Sequence, residues 1–396
     1  MPSLPLNIDI EVGDGFDPSA LPARAGVVAF ESASGGAVQV ASTGDVRAFV
    51  DARLGETAET GSRADLRPVT ARVVGRTVGS ALEGDLVCLE LARERLPNTY
   101  RALADRWRAW FVQLDPDADA PTWRKTDLFE LVGTEPAGTL LGPIADKDSA
   151  GRFGEMLDDA FELCRFPREL AKAPCGQACA YKEMGRCPAA CDGSESMDAY
   201  RARVRRAIAF AAGHRDAEIE LVEAEMRRAA EAQDFERATV LKDRLDALAA
   251  KPGKAWSHIG DMAGLGVLAV LPAERFGRAR LVVLTRLGVT WIADVLSHDA
   301  KRAWEETEEI VRGLHDAALG EGRRRLDAAW AERIGLVSRH WHKPAKKGRR
   351  RRWTLFDLRD WPTPRAVVRA IGSASAAEEG DEEHAERALE GDAGVA

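Results

Sequence analysis

The spacing of apolar residues changes period several times along the chain, and each change marks an element. Between Gly26 and Leu54 two short apolar runs, GVVAF and AVQV, flank the turn-like ESASGG, and GDVRAFVDARL follows at helical spacing. That pattern predicts a β-hairpin and then a helix. SALEGDLVCLELARERL repeats the helical period, with Leu82, Leu86, Val87, Leu89 and Leu96 largely on one face. WFVQL reads as a strand before the loop DPDADAPTW, so the first 140 residues are expected to form a small α/β unit.

LLGPIADKDSAGRFGEMLDDAFELC reads as a turn and an amphipathic helix with Asp148 or Ser149 at its N-cap, and its end delivers Cys164. A further helix is expected over Ser194–Ala212, with a Ser/Glu-rich first turn that suits the helix dipole. From Asp216 to Ala250 two helical patterns meet at Gln233-Asp234. A reversal there sets Leu221, Met226, Ala229 and Ala230 against Phe235, Ala238, Leu241, Leu245 and Leu248 in an antiparallel helical hairpin. Next comes LGVLAVLPAERFGRARLVVLTRLGVTWIADVL, in which apolar runs alternate with charged turns as in a small β-meander. Helical patterns follow at Asp299–Leu314 and Gly322–Ile334, and beyond Gly372 the Ala/Glu/Ser/Gly-rich tail is expected to be disordered.

With 396 residues and 45% hydrophobic content the chain can bury several small cores. Its N-terminus lacks a basic segment followed by an apolar core, and no apolar run is long enough to span a bilayer, so a cytoplasmic protein is expected. The formal charge of −8 hides two opposed blocks. Glu378, Glu379, Asp381, Glu382, Glu383, Glu386, Glu390 and Asp392 face only Arg387 in the tail, whereas Arg339, Lys343, Lys346, Lys347, Arg349, Arg350, Arg351 and Arg352 run without an acid. Together with Trp341 and Trp353 these cations have the composition of a segment that neutralises phosphates and stacks on unpaired bases. Of the scattered histidines only His340-x-His342 shows ligand spacing, and that pair belongs with the basic segment.

Five of the six cysteines are Cys164, Cys175, Cys179, Cys187 and Cys191, and the last four read C-x3-C-x7-C-x3-C. In a cytoplasmic chain such thiols stay reduced, so a thiolate metal site is expected rather than a disulfide framework. Four thiolates satisfy either tetrahedral zinc or an iron–sulfur cluster, and buried reduced thiols are the bland alternative.

Three blocks resemble the UvrC/Cho family, the nuclease subunit of bacterial nucleotide excision repair and its short relative. LLGPIADKDSAGRFGEMLDDAFELC is similar to the family's "FGP-F-…-LF-L-R-x-C" segment, CAYKEMGRCPAACDGSESMDAY to its "PC…GRC…PC-G-x-S-x-x-x-Y" block, and MRRAAEAQDFERATVLKDRLDAL to the UVR motif. The resemblance implies an α+β multidomain chain. Its parts are a flexible N-terminus (1–20), a degenerate GIY-YIG-like α/β domain (21–135), a helical Cys-rich metal-binding module (136–213), a UVR helical hairpin (214–251), a β-meander with helices (256–336), a basic arm (337–372) and a disordered acidic tail (373–396). It also implies a 4Fe-4S cluster on Cys164, Cys179, Cys187 and Cys191, with Cys175 as a possible substitute and Zn2+ as the alternative.

The GIY-YIG nuclease of that family uses two tyrosines, a lysine and an arginine, with a helix glutamate for Mg2+ or Mn2+. Aligned here, those positions carry Val28, Gln39, Ser42 and Phe49, while Asp85 and Glu90 are possible metal carboxylates. The first four cannot supply a general base or a guanidinium. The chain's three tyrosines, Tyr100, Tyr181 and Tyr200, all lie downstream, and the family's RNase H-like half is not recognisable. The resemblance thus implies an excision repair protein that binds DNA and a UvrB-type helicase, the latter through Leu221, Met226, Phe235, Ala238, Leu241 and Leu245, with its GIY-YIG centre lost. Two alternatives stand beside it: an active excision-repair endonuclease, and a UVR-motif metal/thiol regulatory adaptor for a Clp-type chaperone.

Overall fold

The computed structural model describes residues 6–13, 15–55, 65–249, 253–275, 277–320, 325–342 and 352–376. The first elements are β1 (Ile8–Glu11), β2 (Gly26–Glu31), β3 (Ala37–Thr43), α1 (Val46–Leu54), β4 (Arg72–Thr77), α2 (Ala81–Arg95) and the short α3 (Arg101–Ala104). Then come β5 (Trp110–Leu114), β6 (Arg124–Asp127), β7 (Thr139–Ile144), α4 (Lys147–Phe161), the short α5 (Pro167–Leu170) and α6 (Ala180–Glu183), α7 (Met197–Ala211), α8 (Arg215–Glu231) and α9 (Phe235–Ala249). The chain continues through β8 (Gly260–Asp261), β9 (Val267–Pro272), β10 (Arg278–Thr285), β11 (Gly288–Leu296), α10 (Ala300–Gly320), α11 (Ala328–His342), β12 (Thr354–Asp357) and α12 (Pro364–Ser375). This is a mixed α/β chain whose sheets are antiparallel. Among the described residues no helix is long and apolar enough to cross a membrane.

Two compact units divide these elements. The first takes the described residues of Met1–Trp107, Gly266–Ala318 and Pro344–Ala396, and the second those of Arg108–Leu265 and Leu319–Lys343. In the first unit one sheet has the order β1-β4-β2-β3. Its central strand β2 is buried along its whole length because both faces are covered. Val28 and Phe30 point to a core shared with Val46 and Val50 of α1, while Val27 and Ala29 point to one shared with Val87 and Leu91 of α2. Burial on both sides explains why GVVAF reads as a continuous apolar run instead of an alternation. The second sheet of this unit, β11-β10-β9-β12, packs Leu268, Val270, Leu281 and Val283 against Trp304 and Val311 of α10 and Val367 and Ile371 of α12.

A buried ion network joins α2 to β10 inside the first unit. Ser80 caps α2 by accepting from Glu83 N at 3.1 Å, and the Glu83 carboxylate reaches back to Gly79 N at 2.8 Å, a variant of the capping box. Glu83 is 0% exposed and pairs with Arg280 and, at 3.7 Å, with Arg76. Arg280 also donates to both carboxylate oxygens of Asp294, at 2.7 and 2.8 Å. The Trp291 ring lies under both guanidiniums, 5.2 Å from that of Arg76 and 5.7 Å from that of Arg280.

In the second unit the sheet β6-β5-β7-β8 carries α4, whose Phe153, Leu157 and Phe161 share one core with Val204 and Phe210 of α7, Val222 of α8 and Leu241 and Leu248 of α9. The bridge Val132↔Leu326 brings the later segment of the unit beside the earlier one.

Several expectations are corrected. The segment 1–20 is not wholly flexible, because β1 pairs antiparallel with β4. WFVQL leaves the first unit: β5 pairs with β6 and β7, and the division falls after Trp107 instead of near 135. The N-cap of α4 is Asp146, which accepts from Ser149 N at 2.7 Å, and neither Asp148 nor Ser149 fills that place. The helix expected over Gly322–Ile334 runs instead over Ala328–His342. The described residues of 337–372 fall in elements: 337–342 end α11, β12 pairs with β9, and most of α12 follows, while residues 343–351 lie outside the described ones. Helix α12 also extends to Ser375, past the start of the expected tail, and residues 377–396 lie outside the described ones.

Candidate metal centre and its surroundings

The cysteine module begins where α4 stops. Glu162 takes a left-handed conformation (φ 51°) at the C-cap, and the reversal buries Leu163 and Cys164. Tyr200 of α7 fixes this turn: its hydroxyl accepts from Cys164 N at 3.1 Å and donates to Pro121 O at 2.9 Å. Arg203, one helical turn on, donates to Phe161 O at 3.1 Å and Glu162 O at 3.3 Å, so it satisfies carbonyls that the end of α4 leaves open. Beyond the turn, Gly176 N donates to Cys191 O at 2.8 Å, and a Cβ at Gly176 would press on Glu169 O and Cys191 O, so only glycine lets the two loops approach this closely.

Cys164 and Cys191 are buried, Cys179 and Cys187 half-buried, and Cys175 exposed. Burial pushes the Cys164 thiol up to about 11, opposed by a backbone hydrogen bond from Phe166 and assisted by Cys187, Cys191 and Cys179. Burial likewise raises the Cys187 and Cys191 thiols, with Cys179 adding to both. Neighbouring thiols thus add to the upward push of burial at Cys164, Cys187 and Cys191. Among the described residues no three His, Cys, Asp or Glu side chains are placed to hold a single metal ion.

Helices α8 and α9 form the antiparallel hairpin. Leu241 and Leu248 are buried with Val222, and Met226, Ala229 and Leu245 pack partly against the same core. Leu221 and Phe235 face outward, Phe235 with 68% of its surface exposed. Of the six residues expected to bind a partner, Leu241 is therefore taken up by the unit's own core.

This architecture coincides with two family matches. Residues 118–210 match the model described as "UvrC/Cho excinuclease, middle domain", and residues 216–251 match that of the "UvrB/uvrC motif". The chain belongs to the UvrC/Cho family. Among its relatives, UvrABC system protein C of Thermus thermophilus is 33% identical over 112 residues, covering 28% of this chain and 18% of the relative. The protein of the same name from Syntrophotalea carbinolica is 26% identical over 236 residues, covering 59% and 37%, and that of Caulobacter vibrioides 31% identical over 170 residues, covering 42% and 26%. The chain thus spans well under half the length of these curated relatives. No solved structure matches it.

In this UvrC/Cho chain the four positions aligned with nuclease residues fall on the first sheet and α1. Val28 is fully buried opposite Ala41, and Gln39 accepts from Arg53 Nη1 at 3.2 Å. The Ser42 hydroxyl is buried without a hydrogen-bond partner, and Phe49 lies 6.1 Å from the Phe30 ring with the Arg53 guanidinium 5.0 Å from its own. On α2, Glu90 pairs with Arg93 at 3.1 Å, while the fully buried acid is Glu83 and not Asp85 or Glu90, the two expected carboxylates. The capping sequence Ser80-x-x-Glu83 was the available signal.

The basic segment is only partly described: Lys343, Lys346, Lys347, Arg349, Arg350 and Arg351 lie outside the described residues. Arg339 and Trp341 are on α11, and Trp341 stacks on His258 with ring centres 4.4 Å apart and planes 8° from parallel. That face of the indole is occupied, which removes it from the expected base-stacking surface. Arg352 and Trp353 precede β12.

Proposed function

We propose that this protein is a nucleotide excision repair factor of the UvrC type that binds DNA and a UvrB-type partner while its GIY-YIG-like first unit has lost incision chemistry. The observation that carries the reading is what stands at Val28, Gln39, Ser42 and Phe49. Two of these, Val28 and Phe49, pack into the core that holds β2 to α1, so they are structural and cannot activate a water or stabilise a phosphorane-like charge. A carboxylate such as Glu90 or Asp85 could hold a divalent ion, yet a metal alone lacks the base and the guanidinium that share the work. A nicking assay on damaged duplex with Mg2+ or Mn2+ is expected to show no cleavage; robust cleavage abolished by Glu90→Ala or Asp85→Ala would refute the reading.

For the partner, the outward Phe235 and Leu221 give the hairpin an apolar contact that its own core leaves unused. The cations from Lys343 to Arg352 supply the phosphate-neutralising charge for DNA.

Cys164, Cys179, Cys187 and Cys191 are the proposed ligands of a 4Fe-4S cluster. Zinc–sulfur bonds near 2.3 Å bring four ligand sulfurs within about 4 Å of one another. No three candidate ligands among the described residues converge on one point, and a cluster, whose thiolates each bind a separate iron, does not require them to. When bound, such a cluster cross-links the end of α4 to the loops beyond it and adds a redox couple. Anaerobically purified protein is expected to show a broad absorption near the blue edge of the visible, lost in Cys187→Ser and kept in Cys175→Ser. A colourless protein containing zinc would overturn the assignment.

A further inference from the structure

A cavity of about 660 Å³ opens beside Cys164, walled by Trp123, Asp158, Arg165, Tyr181 and Arg186. We propose that it receives a single unstacked nucleotide, base against Trp123 and Asp158 and phosphate toward Arg165 and Arg186. The inference extends the DNA-binding reading above.

The volume falls within the range of sites that take small organic ligands, about 300–1,000 Å³. Its floor is built from packed residues. A Cβ at Gly154 would collide with the Trp123 indole, so the glycine lets that ring lie directly on α4. Asp158, four residues on, is 3% exposed; Trp123 donates to it, but its Oδ1 is buried with no hydrogen-bond partner. A buried acceptor of this kind is satisfied by a donor arriving with a ligand, and the exocyclic amines and ring N–H groups of bases are such donors.

The charges around the cavity select the other end of the ligand. The Arg165 guanidinium already lies 4.2 Å from the centre of the Tyr181 ring and pairs with Asp159 at 2.5 Å, and the exposed Arg186 adds a second cation. An ammonium ligand would face two guanidiniums, and a bare anion would face the buried carboxylate of Asp158 and the exposed one of Glu155. A molecule with a planar, donor-bearing end and an anionic end meets both, with the indole offering a stacking face.

The test uses the full chain and three labelled duplexes: fully paired, with a short unpaired bubble containing 2-aminopurine, and with the same bubble made abasic. The bubble is expected to bind about tenfold tighter than its abasic counterpart. Aminopurine emission should be quenched on binding and recover in Trp123→Leu. Because that substitution could loosen α4, the exposed Arg186→Ala serves as the second variant, expected to weaken bubble binding several-fold with the paired duplex unaffected. Competition by free deoxynucleoside monophosphate would assign the site to free nucleotides, and its absence to a strand. Equal affinity for both bubbles with undiminished emission, and no binding of the monophosphate, would overturn the proposal even if the paired duplex binds. Failure on the paired duplex would instead count against the DNA-binding reading.

Discussion

Glu83→Ala is expected to lower the stability of the first unit by roughly 3–5 kcal/mol, the range for stripping one partner from a buried charge pair. The carboxylate is the shared counter-ion of Arg76 and Arg280 and also accepts from Gly79 N. Without it two guanidiniums remain in a buried setting, with only Glu274 and Asp294 as counter-ions. Glu83→Gln keeps an acceptor for the Gly79 amide and should recover part of the loss. Urea titrations followed by tryptophan emission report it, because Trp291 lies against both guanidiniums. An unchanged midpoint in Glu83→Ala would mean that the network is neutral to stability.

Asp158→Asn should act in the opposite direction and only above a certain pH. Burial pushes the Asp158 carboxyl from its usual 3.8 up to about 7, against the donation from Trp123 and the charge of Arg165. Between those two values the folded protein retains a proton that the unfolded chain has released, so stability falls as pH rises through the window. Below about pH 4 the penalty is absent, and above about pH 7 it is complete, near 4 kcal/mol. Asparagine cannot ionise, so the variant should melt well above the parent at pH 8 and with it at pH 4. Coincident melting at both values would show that the carboxylate is solvated in the folded protein.

The elements that residue spacing revealed are those whose partners lie close by in sequence. The β2–β3 hairpin, α2, α4 and the α8–α9 hairpin each carry their own period and turn signals, and the cysteines stand near one another along the chain. What spacing did not reveal depends on distant pairing. Strand β1 gains its place from β4, and β12, only four residues long, gains its place from β9. Helix α12 does carry a readable stripe, Val367, Ala370, Ile371 and Ala374, but the neighbouring run of arginines drew the segment into a charge-based reading. Glu83 looked like one acid among several on α2, since one of its two ion-pair partners, Arg280, lies 197 positions away. Asp158 was hidden similarly: an aspartate on the apolar face of α4 is informative only once Trp123 is seen lying on Gly154.

That separation of 197 residues bears on how the protein is made. A ribosome adding about 5–20 residues each second takes roughly 10–40 s to pass from Glu83 to Arg280. Throughout that interval the nascent β1–β4 sheet and α2 wait with the Glu83 carboxylate lacking Arg280, while the whole cysteine module and helical hairpin emerge behind them. Chaperone capture during translation should therefore fall on the earliest-made third of the polypeptide, and truncated versions ending at the hairpin would leave that part without the strands that complete it.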